Sequence, residues 1–347
     1  MSGAEGYSRI VGPRRLSVCG SAGFCFGVGR AVDMAMSLTE ALPEVYCAGP
    51  LVHNGRVLEE LQARGLRIAG DLSEVPPNAH ILIRSHGASR ELRQSLEGRP
   101  VTDATCPCVA RIHDIVRRAG PDTHILMLGD PEHPEVRATA SWCRSVSVFD
   151  GPEALETLSR AHPEWESMSL IAVAQTTASL VLWEVCVDFL KKAYTNAQIL
   201  DTICHATSMR QQEAAAMSAQ TDVMFVVGDR KSSNTNRLAG VCERAVLIQS
   251  ADELDGYRSE ILSSGHIGIT AGASTPASTI KEVVEKMTEE MKKAEQAAGP
   301  ETTREIAAPA EDAAAAENLD PAEEAAPAEE TVSAETEPVA APDAVDP

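Results

Sequence analysis

Aromatic residues are scarce in this chain, 3% of 347 residues, so Val, Ile, Leu and Ala must build its core. Positive charge is also in short supply. The formal net charge is −21, which excludes nucleic acid as a default partner, because phosphate backbones need clustered Lys and Arg. No uninterrupted apolar run is long enough to span a membrane. The most apolar stretch, 169–190, is broken by Gln175-Thr176-Thr177, Glu184 and Asp188. The start lacks an apolar segment, which argues against export. Paired C-x-x-C ligands are missing, and the nine cysteines are odd in number and scattered. That pattern does not fit a secreted disulfide framework. A reducing cytoplasm is expected, where such thiols are core filler, metal ligands or nucleophiles.

The acidity is uneven. Residues 299–347 hold 14 Asp and Glu against the single Arg304, together with seven prolines and no aromatic. Such a segment cannot bury enough apolar surface to offset its ordering entropy, and is expected to be a disordered acidic tail. The remaining body is only mildly acidic, so an anionic substrate stays possible.

Along the body, short β-rich runs from Leu16–Cys19 to Ile267–Thr270 alternate with helical patterns. This predicts an α/β fold with mostly parallel sheets covered by helices, its ligands held in loops beyond the strand carboxyl ends. A faint repeat organises it. Cys25, Cys106 and Cys204 each sit in a strand–loop–helix unit, at intervals of 81 and 98 residues, and each is followed by an arginine: Arg30, Arg111 and Arg210. The last two cysteines share D-x-x-C. Three similar small domains are predicted, 16–105, 106–200 and 201–297, after an N-terminal extension 1–15 and before a tail 298–347.

A thiol at a helix N-terminus sees the positive end of the helix dipole, which favours the thiolate that metals require. One buried cysteine alone reads as core filler. Three in matched contexts point to a shared iron–sulfur cluster. Zinc competes, but usually brings paired spacing. A cubane normally takes four cysteines, so three leave one iron open to substrate. Cys108 offers a second thiol two residues from Cys106. With Pro107 between them, the two side chains are expected to diverge, leaving Cys108 as packing.

Five further loops carry chemistry. His53-Asn54, Ser85-His86-Gly87 and His133-Pro134-Glu135 supply imidazoles and a carboxylate. Ser232-Ser233-Asn234 and Gly272-Ala273-Ser274-Thr275-Pro276 suit phosphate, because glycine admits close approach and the following helix offers free N–H groups. Helix capping explains the same serines equally well. His133 with Glu135 could pass a proton to a leaving hydroxyl, or Glu135 could simply favour a helix dipole. Thr176 adds a hydroxyl at another strand end.

Taken together, GFCFGV at 23–28, VHN at 52–54, SHG at 85–87, DATCP at 103–107, HPEV at 133–136, QTT at 175–177, DTICHAT at 201–207, SSNTNRL at 232–238 and GITAGASTP at 268–276 strongly resemble the IspH/LytB family of 4-hydroxy-3-methylbut-2-enyl diphosphate reductases. The resemblance runs from about 16 to 293. It implies a trefoil of three α/β domains around one central [4Fe–4S] cluster per subunit, held by Cys25, Cys106 and Cys204. His53, His86, Ser232, Ser233, Asn234 and Ser274 would grip the diphosphate, Thr176 and His133 would lie near the substrate hydroxyl, and Glu135 would deliver protons. The implied reaction is reductive loss of that hydroxyl, giving isopentenyl and dimethylallyl diphosphates in the last step of isoprenoid precursor synthesis, with reduced ferredoxin or flavodoxin as donor. A non-catalytic iron–sulfur sensor or carrier would explain the thiols but not the phosphate loops. Departures from the family pattern are Ser85, Ala88, Cys108, Glu132, Ala138 and Ala277. Glu132 adds a negative charge beside His133.

Overall fold

The computed structural model describes residues 6–298. The acidic tail expected at 298–347 lies outside the described residues, apart from Ala298, which ends the last helix. The chain opens with an antiparallel hairpin, β1 (Tyr7–Val11) and β2 (Arg14–Val18). Four strands follow in one sheet: β3 (Val45–Ala48), β4 (Leu66–Ala69), β5 (His80–Ile83) and β6 (Val101–Asp103). A second sheet holds β7 (Thr123–Leu128), β8 (Val146–Phe149), β9 (Ser169–Ala174) and β10 (Ala197–Ile199). β11 (Val223–Val227), β12 (Ala245–Ile248) and β13 (His266–Ala271) form the third sheet together with the hairpin.

The three sheets share one order. Each places its strands as second, first, third, fourth: β4-β3-β5-β6, β8-β7-β9-β10 and β12-β11-β13-β2. Every pairing within these four-strand sets is parallel. Central strands are buried on both faces, and β7 and β11 accordingly read as apolar runs, THILML and VMFVV. Each fully buried Leu, Ile or Phe there contributes about 1.5–3 kcal/mol.

One strand is placed differently from the sequence expectation. The run at Leu16, predicted to open the first domain, completes the third sheet. It pairs with β13, Leu16 opposite Ile267, and Leu16 is buried with Phe225, Val227 and Ile269. The predicted extension 1–15 therefore contains β1 and the start of β2. Three strands escaped prediction: β1, β4 and β6. All are edge strands, half-exposed or exposed along most of their length, so they carry little of the apolar pattern that marks a strand in sequence.

Each cysteine stands at a junction between sheets. Cys25, Cys106 and Cys204 follow β2, β6 and β10, the fourth strand of each set. Each then begins a helix that packs on the next sheet. Ala31 and Val32 pack with Val45 and Cys47, Ile112 and Val116 with Ile125 and Met127, and Ala214 with Val226. Among the described residues, no helix is long and apolar enough to cross a membrane.

Candidate active site

In a parallel sheet ordered second, first, third, fourth, adjacent first and third strands send their crossovers in opposite directions, opening a crevice at their carboxyl ends. Here three such crevices meet. First-strand loops carry His53, His133-Glu135 and Ser232-Ser233-Asn234. Third-strand loops carry Ser85-His86, Gln175-Thr176-Thr177 and Ala273-Ser274. Each cysteine is pinned to the third-strand loop of its own sheet by the same backbone bond. Cys25 N–H donates to Ala273 O at 3.1 Å, Cys106 N–H to Ser85 O at 2.9 Å and Cys204 N–H to Thr176 O at 3.0 Å.

All three cysteines occupy the N-cap position of a helix, where a side-chain acceptor faces free N–H groups. The Cys25 sulfur accepts from Val28 N–H at 3.4 Å. The thiols line one cavity of about 90 Å³ together with Cys108, Glu135 and Arg210. Cys204 is drawn toward the thiolate chiefly by the Cys108 S–H, which donates to it at 3.4 Å, and Cys106 chiefly by its proximity to Cys108; backbone N–H groups at both helix starts act in the same direction. Cys25 is raised by burial, which Val28 N–H and the Arg210 charge oppose. Arg210 is buried, donates to Gly23 O at 2.7 Å and keeps its Nε without a partner. By contrast, burial pushes Cys19, Cys47 and Cys143 up to about 12 and Cys186 and Cys242 to about 11. These five are inert, as their apolar sequence contexts imply. Of the three arginines in the repeat, Arg111 is exposed.

Cys108 does not diverge from the other thiols. Its sulfur lies 3.4 Å from that of Cys204. Pro107 starts the helix in its first turn, and the tight turn of the chain there carries Cys108 back over the cavity instead of away from it.

An adjoining cavity of about 70 Å³ takes the remaining polar loops and shares Ser85, His86, Glu135 and Thr177 with the first. Its imidazoles are close: ring centroids of His53 and His86 are 4.7 Å apart, and each lies 5.5 Å from His133. Burial lowers all three, His133 to about 4, so they are neutral near pH 7. Among the described residues, His53 Nε2, His86 Nδ1 and both amide atoms of buried Asn234 have no hydrogen-bond partner. Each such buried orphan costs about 1–3 kcal/mol, and their convergence on one cavity marks it as built for a polar ligand. Ser232 caps Thr235 N–H at 3.4 Å, so its capping role is real. Ser233 Oγ accepts from Thr177 at 3.1 Å, and Ser274 donates to His53 O at 2.8 Å.

Glu135 sits where the cavities meet and is 2% exposed. Its carboxyl is held at both oxygens by Thr176: Oε1 accepts the backbone N–H at 2.7 Å and Oε2 the hydroxyl at 2.6 Å. Burial pushes it up to about 7 despite those two bonds. Glu132, suspected of perturbing His133, is 85% exposed and faces Arg137 at 3.8 Å. The negative charge that acts on His133 belongs to Asp130, and His53 and Arg84 oppose it.

Sequence reasoning missed Arg84 and named Thr177 only as part of its loop, without a role. Arg84 charges the environment of His53, His86 and His133, and its guanidinium packs against Gly49, whose φ of +87° favours glycine. A cation directly before Ser85-His86 at the end of β5 was the available signal. A larger groove of about 640 Å³ beside Tyr46, Arg67 and Glu74 holds no cysteine, histidine or repeat loop.

The profile of the LytB protein family matches residues 16–288. The chain belongs to the LytB family. Among its relatives, the 4-hydroxy-3-methylbut-2-enyl diphosphate reductase of Caldanaerobacter subterraneus subsp. tengcongensis is 38% identical over 282 residues, covering 77% of this chain and 94% of that one. The reductase of the same name from Geobacter sulfurreducens is also 38% identical, covering 77% and 95%. In solved structures, the fold is similar to the E-1-hydroxy-2-methyl-but-2-enyl-4-diphosphate reductase of Plasmodium falciparum, with a TM-score of 0.73, 27% identity and coverage of 78% and 86%. A second structure, of a reductase described as the terminal enzyme of the non-mevalonate pathway, gives a TM-score of 0.57 at 31% identity, covering 78% and 98%. The LytB match takes in all three junction cysteines and both cavities.

Proposed function

We propose that this chain is a 4-hydroxy-3-methylbut-2-enyl diphosphate reductase, acting in a reducing cytoplasm on the allylic diphosphate to give isopentenyl and dimethylallyl diphosphates. The observation that carries it is the position of Glu135, a buried acid poised near neutrality between a thiol cavity and a pocket of unsatisfied polar groups.

Cys25, Cys106 and Cys204 fit an iron–sulfur cluster. They are soft sulfur donors on one cavity, with helix N–H groups and Arg210 to stabilise negative charge. Bound there, a [4Fe–4S] cluster would supply electrons and, at the iron without a protein thiol, a Lewis acid. Reduced ferredoxin or flavodoxin is the proposed donor. The diphosphate would fill the second cavity, accepting from Ser232, Ser233, Asn234, Ser274 and the N–H faces of His53 and His86. His133 would lie beside the substrate hydroxyl with Thr176. Thr176 holds Glu135 in one orientation, and Glu135 in its acid form would deliver the proton to the departing hydroxyl.

A pH dependence follows. Glu135 carries its proton below about 7 and loses it above, while His133 stays neutral down to about 4. Turnover is expected to fall about tenfold per pH unit on the alkaline side of 7, with no limb from His133 between pH 5 and 7. A pH–rate profile that rises through pH 7 would remove Glu135 as the acid.

The deciding experiment is anaerobic turnover of the diphosphate substrate with a reduced viologen, alongside iron, sulfide and zinc analysis. Iron and sulfide without turnover would leave a sensor or carrier. One observation favours a zinc phosphohydrolase: ligand atoms of His53, His86 and His133 all lie within 4.8 Å of one another. Zinc without iron or sulfide would establish that reading instead.

A further inference from the structure

We propose that Cys108 and Cys204, when neither is bound to iron, form a reversible disulfide on exposure to hydrogen peroxide. The two residues are 96 positions apart in sequence, yet their sulfurs lie 3.4 Å from each other, both half-buried and lining one cavity. A disulfide needs about 2.05 Å, so the sulfurs must close by about 1.3 Å, within reach of side-chain rotation. Thiols outside this cavity lack such a partner. Cys19 contacts Met217, Cys143 contacts Thr139 O, and Cys242 contacts Leu238 O. Cys106 is the competing partner for Cys108, but only Pro107 separates them, which confines any bond between them to a small, strained ring.

The chemistry balances with peroxide as the oxidant. The Cys204 sulfur attacks one peroxide oxygen, the O–O bond breaks, and Cys204 becomes a sulfenic acid as one water leaves. The Cys108 sulfur then attacks that sulfenic sulfur, the S–S bond forms and a second water leaves. Two thiols lose two electrons and two protons, and one peroxide is reduced to two waters. Without a resolving thiol, the sulfenic acid advances to sulfinic acid, which ordinary thiols do not reverse. Cys108 thus keeps Cys204 recoverable. That protective value rests on Cys204 being a cluster ligand as proposed above; the bond itself does not.

The test uses the full-length chain, stripped with a chelator, treated with hydrogen peroxide, alkylated, digested with trypsin and analysed by mass spectrometry. Wild type should yield a cross-link between the peptide ending at Arg111 and the peptide ending at Arg210, with the free-thiol titre lower by about two per chain. Cys108→Ser and Cys204→Ser should each abolish it, and Cys106→Ser should retain it. A cross-link that survives Cys108→Ser, a bond confined to Cys106 and Cys108, or no bond at all would overturn the proposal. A second measurement addresses protection. After peroxide and then dithiothreitol, wild type should regain most of its iron on reconstitution with ferrous iron and sulfide. Cys108→Ser should regain several-fold less, with Cys204 found as sulfinic acid. Equal recovery would overturn the protective role. Failure of untreated, reduced wild type to bind iron would instead overturn the cluster assignment and leave the disulfide standing.

Discussion

Glu135→Gln is expected to lower turnover by about two to four orders of magnitude while leaving the iron and sulfide content unchanged. The substitution keeps shape and size: the amide oxygen can still accept from the Thr176 N–H, 2.7 Å from Glu135 Oε1, and the amide NH2 can donate to the Thr176 hydroxyl oxygen, 2.6 Å from Oε2. What disappears is the transferable proton. Glu135 is pushed up to about 7 by burial, so a large share of the wild-type protein carries that proton at neutral pH. The variant should also lose the alkaline limb of the pH–rate profile, a change that a merely structural role would not produce. Measurement requires anaerobic turnover together with the visible absorbance of the protein. Turnover within threefold of wild type would place the proton source elsewhere.

Cys25→Ser is expected to remove turnover altogether, through loss of iron. Cys25 caps the helix Phe26–Ala41, and a serine hydroxyl can still accept from Val28 N–H, so the local fold should persist. The thiolate is lost, and hydroxyl oxygen is a poor replacement for it toward iron. Buried Arg210 also loses one of the three groups that favour its charge, keeping Cys204 and Glu213. The control is Cys186→Ala in the second sheet's apolar core. It should keep its full iron content and lose only about 1 kcal/mol of stability. Iron and sulfide per chain, with thermal unfolding, separates the two variants. Equal iron in Cys25→Ser and wild type would dismiss Cys25 as a ligand.

Much of the fold could be read from the chain because buried parallel strands announce themselves. Runs such as VMFVV and THILML permit few alternatives once the intervening segments are helical. β1, β4 and β6 were missed because YSRIV, LRIA and VTD are edge strands with polar or charged residues among few apolar ones, whereas the edge strands β8 and β12, VSVF and AVLI, keep an apolar alternation or run. The placement of β2 was unreadable for a related reason. A strand's partner is set by which sheet edge has unpaired N–H and C=O groups, and the third sheet's open edge lies more than 240 residues further along the chain, at His266–Ile269.

By itself, the sequence singled out the candidate residues, three cysteines in matched strand–loop–helix contexts and polar loops at strand ends, since those choices depend on local spacing and residue type. Only the tertiary structure decided what each group does to its neighbours. Burial, a property of the whole packing arrangement, lifts Glu135 toward neutrality and keeps His133 uncharged. The meeting of three crevices leaves Asn234 and two imidazole nitrogens unsatisfied in a shared cavity. Cys108 is the clearest case. Its position beside Pro107 suggested a thiol turned away, but the convergence of two helix starts from different sheets sets it 3.4 Å from Cys204, a distance fixed by packing and not by any feature of the Cys-Pro-Cys segment.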